Sequence, residues 1–250
     1  MKLQVLVLAA FWANITLGAE STINVDFQPG PNGSKYSADY HGQGGLPDPD
    51  HDTWNVVTPP VDGYDSAWGS GGNYSFKEAF VSSPLFDSSG LETPVTVSIQ
   101  RGNPLGTTFS VNPSNTWAYE HIATDARNLM SDYLIAPGNS TNSVLISHLI
   151  SGAIYTICLY GAGDQAVHQT AFIVNSNTLT TRGVPDVTHT ITEGADYVVF
   201  RDVQAVDGTI TVYFTGAGSS HDGNFNGFQI RGEWPAKSIS TAPSTAETNL

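Results

Sequence analysis

Apolar and polar side chains alternate along most of this chain. Ile23, Val25 and Phe27 share one face of an extended segment while Thr22, Asn24 and Asp26 take the other; this period of two marks a strand with one face in a core. Val95, Val97 and Ile99 repeat the pattern between Pro94 and Arg101. Val144, Ile146 and His148 alternate with Leu145, Ser147 and Leu149, so His148 reads as a satisfied core side chain on an apolar strand face. Residues 154–160 are apolar on both faces, which predicts a central strand. Segments 197–203 and 209–214 flank Asp207-Gly208, a favoured turn pair, and read as a hairpin. A strand over 226–230 closes the sheet. Roughly ten strands at such spacings predict an all-β fold, an antiparallel sandwich.

One segment departs from this period. Over residues 118–134, Ile122, Ala126, Leu129, Met130 and Tyr133 recur at helical intervals, and Pro137-Gly138 follows, so a short helix packed on the sandwich is expected. Residues 29–72 are rich in Gly, Pro, Asp and aromatic side chains, too long for a simple loop, and read as a folded excursion at one end of the sandwich. Residues 236–250 are rich in Ser, Thr, Ala and Pro with almost no large apolar side chain, the composition of a disordered tail or inter-domain linker. No internal repeat is visible.

The first nineteen residues are set apart. Lys2 is followed by an apolar stretch from Leu3 to Leu17, and Leu-Gly-Ala at 17–19 places a small residue just before Glu20. This is the pattern of a cleaved secretory signal peptide over 1–19, with a domain over 20–235 and the tail over 236–250. The stretch is too short and too interrupted for a membrane span. The tail lacks the terminal apolar stretch of a lipid-anchor signal, so a released, extracellular protein is expected. Three Asn-x-Ser/Thr sequons, at Asn32, Asn73 and Asn139, lie among Gly, Pro, Ser and Asn residues where exposed loops would carry glycan.

Charge excludes some partners. The chain has 9 Lys+Arg against 23 Asp+Glu, a net charge of −14. Loss of Lys2 with the leader leaves 8 against 23, or −15. Such a surface repels phosphate backbones and anionic membranes, so neither nucleic acid nor membrane is an expected partner. Cys158 is the sole cysteine, so no intramolecular disulfide supports the fold, and its apolar setting reads as a buried thiol.

Several blocks follow one another along the chain: Asn-Val-Asp-Phe at 24–27, Tyr-His-Gly-Gln-Gly-Gly-Leu-Pro-Asp at 40–48 and Asp-Thr-Trp-Asn-Val-Val at 52–57. Leu-Met-Ser-Asp-Tyr-Leu at 129–134, Tyr-Thr-Ile-Cys-Leu-Tyr-Gly at 155–161 and Asn-Phe-Asn-Gly-Phe-Gln-Ile at 224–230 follow. Their succession resembles the secreted β-sandwich domains of galactose-binding-like jelly-roll type that accompany carbohydrate-active proteins. The resemblance implies carbohydrate binding. It also implies a structural Ca²⁺ held between the first and last strands, where Asp26, Asn224 and Asn226 are the matching positions.

The residues themselves offer three constellations. Asp48, Asp50 and Asp52 alternate around His51, but Thr53 and Pro59 stand where an EF-hand needs Gly and Glu. That excludes an EF-hand and leaves open a simpler Ca²⁺ site or an acidic loop. His51-Asp52 and His221-Asp222 are the pairs that would act as base and orienting acid if their loops met. No nucleophile elbow, phosphate-cradling loop or helical zinc-site spacing is present. Aromatic side chains concentrate in the irregular half, at Trp54, Tyr64, Trp68, Trp117 and Tyr119. Sugars stack their C–H faces on such rings while carboxylates such as Asp48 and Asp52 bond hydroxyls, although Trp54 and Trp117 equally suit core plugs. The expected function is binding of cell-wall or matrix polysaccharide. The alternatives are a secreted polysaccharide lyase or hydrolase using the His/Asp pairs, and a structural wall or matrix protein.

Overall fold

The computed structural model describes residues 20–28, 40–48, 52–59, 61–65, 73–76, 79–99, 110–112, 121–123, 126–136, 140–163, 168–183, 188–219 and 222–235. Among them, strands numbered in chain order form three sheets. The first runs β13 (Tyr197–Gln204), β10 (Ile154–Tyr160), β16 (Gly227–Gly232), β1 (Ser21–Phe27), β2 (Trp54–Val57). The second runs β12 (Asn177–Thr180), β11 (Gln169–Val174), β14 (Thr209–Ala217), β9 (Asn142–Ser147), β6 (Thr96–Ile99), β5 (Phe80–Val81). The third runs β15 (Gly223–Phe225), β8 (Tyr133–Ala136), β7 (Ser110–Asn112), β4 (Asn73–Phe76), β3 (Val61–Asp65). All pairings are antiparallel except β1 with β2. The fold is an antiparallel β-sandwich, with very little helix among the described residues. No helix among the described residues is long and apolar enough to cross a membrane.

The five-stranded and six-stranded sheets enclose one core. Ile23, Val25 and Phe27 of β1 face Val144 and Ile146 of β9 and Ile210, Val212 and Phe214 of β14 in a single buried cluster. Phe225 sits at its centre, with the rings of Phe27, Phe172 and Phe214 at centroid distances of 5.2, 5.0 and 5.3 Å. Each edge-to-face pair contributes about 0.5–1.5 kcal/mol beyond burial.

The opposite face of β1 is also buried, with Thr22, Asn24 and Asp26 all near zero exposure. A second apolar layer covers it, built from Tyr40, Leu46, Trp54, Ile122, Leu129 and Met130 over Cys158 and Tyr160. This explains why β10 reads as apolar on both sides. The Cys158 thiol is wholly buried, and desolvation pushes its pKa well up. Native protein should therefore resist a bulky thiol reagent until it unfolds, as a stopped-flow labelling experiment with and without denaturant would show.

Several expectations are corrected. Of the helix predicted over 118–134, the described residues show helix at Arg127–Met130 (α1), and the segment's end, Tyr133-Leu134, is instead the start of β8, reached through Ser131-Asp132. Asn226 draws the Met130 and Asp132 carbonyls toward β16, and all of Tyr133–Ala136 is buried in a strand. Asp207 and Gly208 do form a tight turn, with φ of 49° and 72° and two backbone hydrogen bonds between Val206 and Thr209. The strands beside it part, however: β13 pairs with β10 and β14 pairs with β11 and β9, so the link crosses the core rather than closing a hairpin. His148 is exposed rather than in the core. It lies just past β9 with φ of 63°, and Leu149 takes the buried place. Part of the 29–72 excursion is strand, because β2 adds to β1 in parallel register and β3 pairs with β4.

Candidate functional site

The predicted loop site is described in part. His51, Trp68, Trp117, Tyr119 and His221 lie outside the described residues, as do the sequons at Asn32 and Asn139. Tyr64 stands on β3 opposite Tyr74, and Asn73 opens β4 opposite Asp65. Asp52 is exposed just before β2, in the first sheet, while Asp222 precedes β15 in the third.

Residues 40–48 form a strap laid flat on the first sheet and tied down by buried amides and hydroxyls. Tyr160 donates its hydroxyl proton to Gln229 Oε1 at 2.6 Å and accepts the Gly45 N–H at 2.6 Å. Gln229 Oε1 also accepts the Leu46 N–H, while Gln229 Nε2 donates to Asn24 Oδ1 and the Leu46 carbonyl. Ser88 Oγ donates to Asp48 Oδ2 at 2.7 Å. Trp54 is buried beneath the strap: its indole N–H donates to the Gly42 carbonyl at 2.9 Å, and its ring meets Tyr40 edge-on at 4.8 Å. Trp54 is therefore a core side chain and not an exposed stacking platform. The motif at 40–48 is legible as a structural staple, since each of its polar partners satisfies a buried group.

Of the residues matched to a Ca²⁺ site, Asn226 has its side chain taken up by protein groups. A hard cation takes six to eight oxygens. Asn226 instead gives both amide protons to the Met130 and Asp132 carbonyls, and its Oδ1 accepts the Ala162 N–H. Asp26 Oδ2 accepts from Gln28 Nε2. Asn224 is bonded through its main chain to Thr170 Oγ1 in both directions. No group of three His, Cys, Asp or Glu side chains is placed to hold a metal among the described residues. Asn226→Ala should cost about 3 kcal/mol or more, because three buried backbone groups lose partners; chemical denaturation of wild type and variant measures it.

A titratable pair that the sequence reading missed joins His189 to Asp196. The imidazole Nε2 lies 3.1 Å from Asp196 Oδ1, and Asp196 Oδ2 accepts the Thr192 N–H at 2.9 Å. Burial raises the Asp196 pKa, with the bond from His189 opposing it. The pair closes the loop at 188–196 against residues 121–123, which His189 bonds through its backbone. Seven positions separate the two residues, so a search for adjacent His-Asp pairs passes over them.

The more open arrangement is the outer face of the six-stranded sheet. On β14, Ile210, Val212 and Phe214 enter the core, so Thr209, Thr211, Tyr213 and Thr215 point outward. Register places Tyr213 between Ile173 of β11 and Ser143 of β9, with Thr178 of β12 beyond Ile173. Thr211 pairs with Leu145, and Thr215 with Ala171. Tyr213 is 46% exposed. Toward β6 the face closes: Thr96 and Ser98 are buried, and His148 Nδ1 lies 3.2 Å from Thr96 Oγ1. None of the six strands contains Asp, Glu, Lys, Arg or His. The five-stranded sheet, by contrast, includes Asp26, Arg201, Asp202 and Arg231.

A face of this make-up presents one aromatic ring and many hydroxyls at fixed strand spacing, about 4.8 Å apart across strands. A hydroxyl can both donate and accept, although Thr209 and Thr215 give their protons to the Val206 and Ser140 carbonyls. The signal was present in the sequence as the Thr-x-Thr-x-Tyr-x-Thr alternation at 209–215, which was read only for its apolar half.

No family model matches the chain, and no curated protein matches it. Similar solved structures include the CBM36-1 domain of a multidomain xylanase from the hindgut metagenome of Trinervitermes trinervoides, at 16% identity over 40% of this chain and 77% of that one, TM-score 0.29. TmCBM61, solved with β-1,4-galactotriose, is 16% identical over 55% of this chain and 87% of its own, TM-score 0.28. CBM35 from Cellvibrio japonicus Abf62 is 15% identical over 52% and 80%, TM-score 0.27. Similarity at this level assigns neither a ligand nor a site.

Proposed function

We propose that this chain is a secreted carbohydrate-binding protein that takes polysaccharide of a cell wall or matrix on the outer face of its six-stranded sheet. The observation that carries the reading is the uncharged, hydroxyl-rich surface around the exposed ring of Tyr213. A pyranose offers a C–H face to an aromatic ring and hydroxyls at its rim, and Tyr213 with Ser143, Thr178 and Thr211 supplies the complement, while Thr215, which donates to the Ser140 carbonyl, offers its oxygen as an acceptor. The succession of sequence blocks that resembles galactose-binding-like domains points the same way. The leader-like residues 1–19 and the sequons support secretion.

Footprinting with soluble galactan, glucomannan and mixed-linkage β-glucan oligosaccharides tests it. Protection from hydroxyl radicals is expected at Tyr213, Leu145 and Ile173, with Tyr40 and Trp54 unchanged because they are already buried. Protection confined to residues 40–65 would return the site to the excursion.

A further inference from the structure

We infer that the Tyr213 face selects neutral glycans and discriminates against carboxylated ones. This rests on the reading of that face as a carbohydrate site, and it adds the class of glycan. The six strands contribute no cation, while the chain as a whole has a net charge of −14. Arginines that the structure places in bonds are engaged elsewhere. Arg231 binds Thr22 Oγ1 and the Pro47 carbonyl under the strap, Arg201 pairs with Glu193, and Arg127 Nε donates to the Ile122 carbonyl. Among the described residues, the charged or titratable side chains beside the face stand at its two margins: Arg182 and Glu193 line a pocket together with Thr178 and Thr180 at the β12 edge, and His148 lies at Thr96 on the β6 side, with the Tyr213 row between them.

Three physical effects then act together on a uronate. On the Tyr213 row its carboxylate gives up hydration where the strands supply no counter-charge, and the Arg182 guanidinium at the β12 edge shares its pocket with the Glu193 carboxylate. It approaches a ring whose face is the negative part of a quadrupole. It also enters the field of a strongly acidic protein, screened over about 8 Å at physiological ionic strength. A neutral sugar meets none of these, because its hydroxyls pair with Ser and Thr hydroxyls that donate and accept alike.

The test uses the full chain in affinity electrophoresis or isothermal titration against galactan, glucomannan and mixed-linkage β-glucan. Each polymer is paired with the same polymer oxidised at its primary hydroxyls to carboxylate. At least one neutral polymer is expected to bind with little dependence on salt. Its oxidised partner is expected to bind at least about tenfold more weakly at low ionic strength, the gap narrowing as salt is added. Equal or tighter binding of the oxidised polymer, still lost in Tyr213→Ala, would overturn the selectivity while leaving the face as a glycan site. Binding of neutral polymers that is indifferent to Tyr213→Ala, or binding of none of the polymers, would remove the site itself and this inference with it.

Discussion

Gly45→Ala is expected to lower the melting temperature by roughly 5–10 °C, about 2–4 kcal/mol for a chain of this size. A methyl group at that position would lie 2.5 Å from Tyr197 Cε2 and 2.8 Å from Cys158 Sγ. Cys158 is wholly buried and cannot yield, and Tyr197, half-buried, is held against Tyr160 at 5.6 Å. At Gly44 the same methyl would meet Gln229 Oε1 and the Tyr160 hydroxyl, each at 2.3 Å. Those two atoms anchor the strap, so displacing them uncouples Gly45 and Leu46 from the sheet and opens the second apolar layer. Gly152→Ala is the comparator. It has a positive φ of 81° but nothing within 4 Å of the added carbon, so strain alone should cost about 1 kcal/mol, or roughly 2–4 °C. Paired thermal melts of the two variants decide it. Equal shifts would show that the strap rests loosely on β10 and β16.

The sandwich was legible because its strands obey one period and bury one face. Ile23, Val25 and Phe27 announced β1, and the doubly apolar Ile154–Tyr160 announced an interior strand covered on both sides. The failures arose where a tertiary contact outweighed local pattern. Leu129 and Met130 lie in one turn of helix packed on the sheet while Ile122 bridges to His189, yet the Asn226 amide captures the carbonyls of Met130 and Asp132 and the chain turns into β8. Such a bond joins residues 94 and 96 positions apart and leaves no local trace. The strap at 40–48 has no apolar period of its own, and its glycines show their purpose only in the fold, where they permit contact with Tyr160, Gln229 and Cys158. Trp54 was weighed as either platform or plug, and burial decides for the plug. Tyr213 was overlooked because a strand was credited only with the side chains it hides.

Tyr213→Ala is expected to weaken polysaccharide binding by at least about tenfold while moving the melting temperature by no more than roughly 2 °C. A stacked ring contributes on the order of 1 kcal/mol or more, and a tenfold change in affinity corresponds to about 1.4 kcal/mol. The ring is 46% exposed and sits outside the buried clusters, so its removal opens no core cavity. Tyr213→Phe retains the ring and loses only the hydroxyl, and should fall by roughly threefold or less. Trp54→Ala reverses the pattern: it opens a cavity beside Tyr40 and Tyr160, should cost about 3–5 kcal/mol of stability, and should leave the affinity of the folded fraction unchanged.

The most direct measurement is therefore the affinity of wild type, Tyr213→Ala and Tyr213→Phe for one neutral polysaccharide, with the melting temperature of each recorded from the same preparation. An uncharged sheet face that binds sugar predicts lost affinity in the alanine variant alone, at unchanged stability. Equal affinity in all three proteins would contradict it.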